Sequence, residues 1–261
     1  MSRAETALAA AEAGAEVAGE RYQTSLSIDT KSGKMDYVTE ADRRAQRSVV
    51  ETIRADYPEA TVVGEEDDEL KAIPEDGDAW VVDPIDGTTN FVHEIPLWTT
   101  SVAVVRGGET TAAVSVAPAL DGVYRADSDG TTWNGDPVAV SEKTDVETFT
   151  VAPILRYGPE RDDEFGDLMA ALIRAFGDLR RFGSAQVTLA KVATGSLDAA
   201  ASAQPRPNPW DTVAGAYMVE RAGGTVTDVH GDPWAPGSEG LVASNGAAHD
   251  RVVAVVQSTM A

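Results

Sequence analysis

At 261 residues the chain can form one large domain or two small ones, and its 43% hydrophobic content is that of an ordinary globular protein. Its 43 Asp and Glu against 21 Lys and Arg give a net charge of −22, a field that repels nucleic acid and anionic membrane. Cysteine is absent and the only histidines are His93, His230 and His249, which excludes disulfides and a thiolate metal site and argues against a zinc centre.

The acid-rich, lysine-poor balance suits a salt-adapted, halophilic source, because molar salt screens self-repulsion within a few Å. No apolar window is long enough to span a bilayer, and Glu5, Glu12 and Glu16 in the alanine-rich start do not read as a signal peptide. The expectation is a soluble, cytoplasmic protein. All three histidines read as surface or loop residues.

In chain order, alanine and glutamate over residues 4–20 predict a helix with a narrow stripe of Ala4, Ala7, Leu8, Ala11, Ala15 and Ala18. Residues 22–34 read as strand or loop. Thr39 as N-cap and Asp42 in the capping-box position open a helix that runs to about Tyr57 and stops at Pro58. Residues 61–63 form a short strand leading into Gly64-Glu65-Glu66. Residues 79–82 form a buried strand that ends on Asp83, with Pro84 stopping the ladder. Residues 97–105 and 111–117 are strands joined through Arg106-Gly107-Gly108-Glu109. Residues 122–126 and 131–140 continue the antiparallel pattern, with a tight turn at Asn134-Gly135.

Polar residues 141–147 mark a soft boundary. It divides an N-terminal α+β part, residues 1–143, from a C-terminal α/β part, residues 144–261, in one compact unit. In the second part strands at 148–154, 179–182, 197–203, 225–229 and 241–244 alternate with helices at 162–176, 184–193, 212–222 and from about Ala248. Asp211 reads as the N-cap of the third of these helices, and Gly223-Gly224 as its end.

The stretch Asp83-Pro84-Ile85-Asp86-Gly87-Thr88-Thr89-Asn90-Phe91 carries the chemistry. It sits at the carboxyl end of a strand, where ligands bind in open α/β sheets. Two carboxylates beside a glycine turn with free backbone N–H groups suit hard cations and a phosphate. Glu65 leaves its strand into the same crevice if the two strands are neighbours. Taken singly, the Asp83 stretch also suits an Asx turn, Asp42 and Asp211 suit helix caps, and Glu66 to Glu69 suit a solvated face.

Together, Gly64-Glu65-Glu66, the Asp83 to Phe91 stretch, and Trp210-Asp211-Thr212-Val213-Ala214-Gly215 with Glu220-Arg221-Ala222-Gly223-Gly224 resemble the inositol monophosphatase family, the lithium-sensitive, magnesium-dependent phosphatase superfamily. The Lys31 to Asp42 segment is similar to its lysine and VTxxD elements, and Gly183-Ser184-Ala185 to a substrate-side motif. The resemblance implies a layered α-β-α-β-α sandwich of the inositol monophosphatase and fructose bisphosphatase type. It implies two or three Mg²⁺ ions held by Glu65, Asp83, the backbone oxygen of Ile85, Asp86 and Asp211, and inhibition by Li⁺. It makes Thr88, paired with Asp42, the group that orients the attacking water, with Glu65 as the other residue there. Gly87 and Thr88 would bind the phosphate, and Ser184 and Ala185 the substrate.

The implied activity is phosphate release from inositol monophosphate or a related polyol or sugar phosphate, by direct attack of a metal-activated water and without a phosphoenzyme. Fructose-1,6-bisphosphatase activity, alone or alongside, is the alternative, and a non-catalytic regulatory module is a further one. By the same likeness the protein is a homodimer. The family's inositol-reading glutamate has its matching position at or near Ser202, and no acid lies between Ala199 and Trp210. Arg206, between Pro205 and Pro207, could there meet a second phosphate.

Overall fold

The computed structural model describes residues 1–24, 28–30, 37–66, 69–74, 77–155 and 157–260, with the backbone alone at 28–30, 37–39, 159 and 205. Lys31 to Asp36, the acids Asp67, Asp68, Glu75 and Asp76, and the side chain of Thr39 therefore lie outside the described residues.

Helix α1 (Arg3–Gly19) starts at a capping box: Ser2 Oγ accepts the Glu5 N–H, and Glu5 reaches back to the Ser2 N–H. A small antiparallel ribbon of β1 (Ile28–Thr30) and β2 (Tyr37–Thr39) leads into α2 (Glu40–Asp56). Then come β3 (Val62–Gly64), β4 (Ala79–Asp86), the short α3 (Thr88–Val92), β5 (Thr99–Arg106) and β6 (Glu109–Ala117). The first half closes with β7 (Gly122–Asp127), β8 (Gly130–Trp133) and β9 (Asp136–Val138). Asn134 and Gly135, with φ of 51° and 87°, form the β8–β9 turn, a conformation that suits this residue pair.

The second half runs β10 (Thr150–Pro153), α4 (Asp162–Ala175), β11 (Asp178–Leu179), α5 (Ala185–Ala193), β12 (Ala199–Pro205) and α6 (Pro209–Arg221). It closes with β13 (Thr225–Thr227), β14 (Glu239–Ser244) and α7 (His249–Gln257). Among the described residues no helix is long and apolar enough to cross a membrane.

Strands β3 to β9 form a seven-stranded sheet in chain order, parallel only between β3 and β4. A five-stranded sheet has the order β11-β10-β12-β14-β13. Strand alternation decides the layers. Trp80 and Val82 of β4 share a core with Ala7 and Ala11 of α1 and Val49 and Ile53 of α2. Ala79 and Val81 face the other way, into a core with Leu189 of α5, Val213 and Met218 of α6, and Leu241 of β14. On the far side of the second sheet, Ala201 and Val242 pack with Leu168 and Leu172 of α4 and Val252 and Val256 of α7. The architecture is thus α1–α2, large sheet, α5–α6, small sheet, α4–α7, the expected five-layer sandwich.

Several local expectations are corrected. Strand β4 does not stop at Pro84 but continues to Asp86. Helix α6 begins at Pro209 with Asn208 as N-cap, so Asp211 is not a cap but a first-turn residue. Proline suits that first position because no N–H is needed there. The strand expected at 179–182 is reduced to Asp178–Leu179. Glu66 is buried rather than solvated, and His249 is buried rather than on the surface. Both are polar groups with partners inside, which composition alone does not reveal.

Candidate active site

Asp83 and Asp86 are three residues apart, a spacing that sends side chains to opposite faces of a regular strand. Here the ladder slips: Asp83 pairs with Ser101 and Asp86 with Thr99, so three steps along β4 match two along β5. The extra residue is a β-bulge at Pro84-Ile85, and it returns Asp86 to the face of Asp83. Ile85 anchors the bulge, fully buried in a small core with Ala41, Ala45, Phe91 and Trp98. Asp83 lies two residues beyond Val81 on the same face, so it looks towards the α5–α6 layer. Asp211 reaches the same place from the first turn of α6. One carboxylate oxygen from each of Asp83, Asp86 and Asp211 lies within 4.8 Å of the others.

The N-terminus of α5 holds Asp86. Its Oδ1 accepts the Ala185 N–H at 3.0 Å, and its Oδ2 accepts the Gln186 N–H at 2.8 Å and the Ser184 hydroxyl. Ser184 is also the helix N-cap, its Oγ accepting the Val187 N–H at 3.0 Å. Burial pushes the Asp86 carboxyl up to about 6, although these three bonds lower it; the charge of Glu65 raises it further. Asp211 Oδ2 accepts the amide of Asn208 at 3.0 Å.

Asp42 is fully buried, and its Oδ1 is 3.2 Å from the Thr88 hydroxyl. The same hydroxyl is 3.0 Å from the Ile85 carbonyl, so one proton serves two acceptors in turn. Gly87 has φ +92°, and a Cβ there would come within 2.9 Å of the Leu97 carbonyl and 3.1 Å of Ser184 Cβ. Only glycine lets this turn lie against Gly183-Ser184. Asn90 locks the contact by donating to the carbonyls of Leu97 and Phe182, both at 2.7 Å.

Strands β3 and β4 are parallel neighbours, with Gly64 opposite Val82, so Glu65 leaves the sheet beside Asp83. The turn is gripped from both sides. Gln46 of α2 accepts the Glu66 N–H at 2.8 Å and donates to the Glu66 carbonyl. Lys71 Nζ donates to the carbonyls of Gly64 at 2.8 Å, Glu65 at 3.1 Å and Glu66 at 3.3 Å. Glu65 stands outside the three-aspartate cluster, yet its charge reaches Asp86.

Asp42, Asp83, Ile85, Asp86, Gly87, Thr88 and Asp211 thus meet in one place. Ser184 and Ala185 meet there as supports of Asp86. Ser202 is fully buried on β12, and its Oγ accepts the Gln204 N–H at 3.2 Å. Arg206 is exposed, with φ +50°, in the loop leading to α6. Gln46, Lys71, Gln186 and Asn208 escaped the sequence reading. Only Asn208 carried a signal, as an N-cap residue type standing just before a proline.

Converging carboxylate oxygens at the bulge are the hard oxygen donors that Mg²⁺ takes, and the Asp83, Asp86 and Asp211 cluster could hold such an ion.

Residues 2–261 match the model of the inositol monophosphatase family. A Thermotoga maritima protein named fructose-1,6-bisphosphatase/inositol-1-monophosphatase is 37% identical over 236 residues, covering 90% of this chain and 88% of its own. Nus factor SuhB of Escherichia coli is 32% identical, covering 86% of this chain and 84% of its own. Among solved structures, an IMPase of Thermotoga maritima superposes with a TM-score of 0.89 at 32% identity, covering 100% of this chain and 98% of its own.

Proposed function

The chain belongs to the inositol monophosphatase family of phosphoric monoester hydrolases, and from that premise we propose that it releases phosphate from inositol monophosphate or a related polyol or sugar phosphate by direct attack of water. Asp83, Asp86, Asp211, Glu65 and the Ile85 carbonyl would hold two or three Mg²⁺ ions. The convergence of three aspartates within 4.8 Å, beside the Thr88–Asp42 pair, carries this reading. Bound Mg²⁺ would neutralise phosphate charge and lower the pKa of water.

The chain's own groups supply orientation. When Thr88 donates to Asp42, its hydroxyl lone pairs are left to accept a hydrogen bond from the attacking water. Glu65 is the second acceptor proposed for that water. The N–H groups of Gly87 and Thr88 are proposed to bind phosphate. Li⁺ is expected to compete with Mg²⁺.

Phosphate release from inositol 1-phosphate, measured with Mg²⁺ and with excess EDTA, tests the proposal; turnover undiminished by EDTA rejects the metal centre. One relative's name favours a second reading, fructose-1,6-bisphosphatase activity. The exposed Arg206 is the group proposed to meet the second phosphate. In that case Arg206→Ala weakens use of fructose 1,6-bisphosphate more than use of inositol 1-phosphate, and equal losses remove the role. The name Nus factor on a 32% identical relative keeps a regulatory module as a rival. Absence of phosphate release from every inositol, fructose and nucleotide phosphate tried would favour it.

A further inference from the structure

Gln186 stands where the two walls of the aspartate cluster meet. It is fully buried in the first turn of α5. Its backbone N–H bonds Asp86 Oδ2 at 2.8 Å. Its side-chain Nε2 donates, also at 2.8 Å, to the carbonyl of Trp210, the residue before Asp211. One residue therefore ties the bulge of β4 to the first turn of α6.

The side chain has little freedom. A Cβ added to Gly215 of α6 would come within 2.9 Å of Gln186 Oε1 and 2.5 Å of Leu189 Cβ, so α6 lies directly against the amide. Oε1 has no hydrogen-bond partner among the described residues. A buried amide with one end unsatisfied is destabilising, and an apolar side chain of similar volume would avoid that cost. What the amide alone supplies is the bond to Trp210.

We infer that Gln186 is a positioning residue: its amide fixes Asp211 relative to Asp86 and so sets the affinity of the cluster for Mg²⁺. The inference rests on the metal-dependent reading above. Partners behind metal ligands typically change affinity by about 10–100-fold when removed.

Calorimetric titration of metal-free protein with Mg²⁺ tests it. Gln186→Met keeps the volume and deletes the donor. Gln186→Asn keeps the amide one methylene too short, and serves if the first variant does not fold. Thr131→Val is the control: it removes another buried donor to α6, the Thr131 hydroxyl bonded at 2.7 Å to the carbonyl of Met218, about two helical turns beyond Asp211. We expect the Mg²⁺ dissociation constant to rise about tenfold in either Gln186 variant. We expect Thr131→Val to lower the melting temperature with the constant unchanged. Saturating Mg²⁺ should restore kcat in the Gln186 variants. An unchanged constant in the Gln186 variants, or an equal rise in Thr131→Val, overturns the inference and leaves the phosphatase reading intact. A wild-type protein that binds no Mg²⁺ overturns both.

Discussion

A single extra residue in β4 brings three aspartates together. Without the bulge at Pro84-Ile85, Asp86 would face away from Asp83. Asp83 is 1% exposed and offers one of three carboxylate oxygens that lie within 4.8 Å of one another. Asp83→Asn keeps the shape and removes the anionic ligand, so it is expected to abolish most phosphate release without unfolding the protein. The stabilisation that Mg²⁺ gives the wild type should vanish in the variant. Phosphate assays and melts with and without Mg²⁺ measure both effects, and full activity in the variant would remove Asp83 from the site.

Buried polar side chains join elements here alongside the apolar faces. At the C-terminus, His249 pins α7 to the small sheet. Its Nδ1 is 2.8 Å from Ser244 Oγ on β14 and its Nε2 is 2.9 Å from Thr227 Oγ1 on β13. Burial pushes the imidazole below its ordinary 6.5, and the neighbouring Asp250 carboxylate offsets only part of that. The unfolded chain then binds a proton that the folded one resists, so this contribution is fully present above about pH 6.5 and falls as pH drops towards the folded value. His249→Gln cannot titrate. Between about pH 7.5 and 5.5 the wild-type melting temperature should fall relative to the variant's. A constant difference between the two across that range would contradict the assignment. The difference also cancels the opposite effect of Asp86, which gains stability on protonation.

For the whole molecule the dominant fact is −22 of net charge on 261 residues. Exposed pairs such as Arg44–Glu40 and Arg54–Glu69 are each worth little, so screening by salt matters more than pairing. We propose that the fold and activity require high salt and that the working unit is a homodimer. The melting temperature is expected to rise from dilute buffer to molar KCl. Light scattering in that salt is expected to give twice the 27.4 kDa of one chain. A flat melting profile would reject the salt proposal, and a monomer mass under folded conditions the dimer.

Local chemistry was legible in the chain itself. Apolar periodicity, helix-favouring alanine and Gly or Pro stops located the long helices and most strands, but not the five-residue α3. Asp83 and Asp86 beside a glycine turn suited hard cations by themselves, and Glu65 and Asp211 joined them through the resemblance to the inositol monophosphatase family. What only tertiary structure decided depends on register and on partners far away in sequence. The strand through Pro84 exists because β5 pairs on both sides of the bulge, which no local pattern encodes. By contrast, the earlier start of α6 at Asn208 and Pro209, which makes Asp211 a first-turn residue, was written in the chain as a local signal. Ser184 and Ala185 bind Asp86 from nearly 100 positions away, and the backbone of the buried Glu66 is met by Gln46 of α2. Such contacts are set by how the layers stack, and stacking is a property of the whole chain.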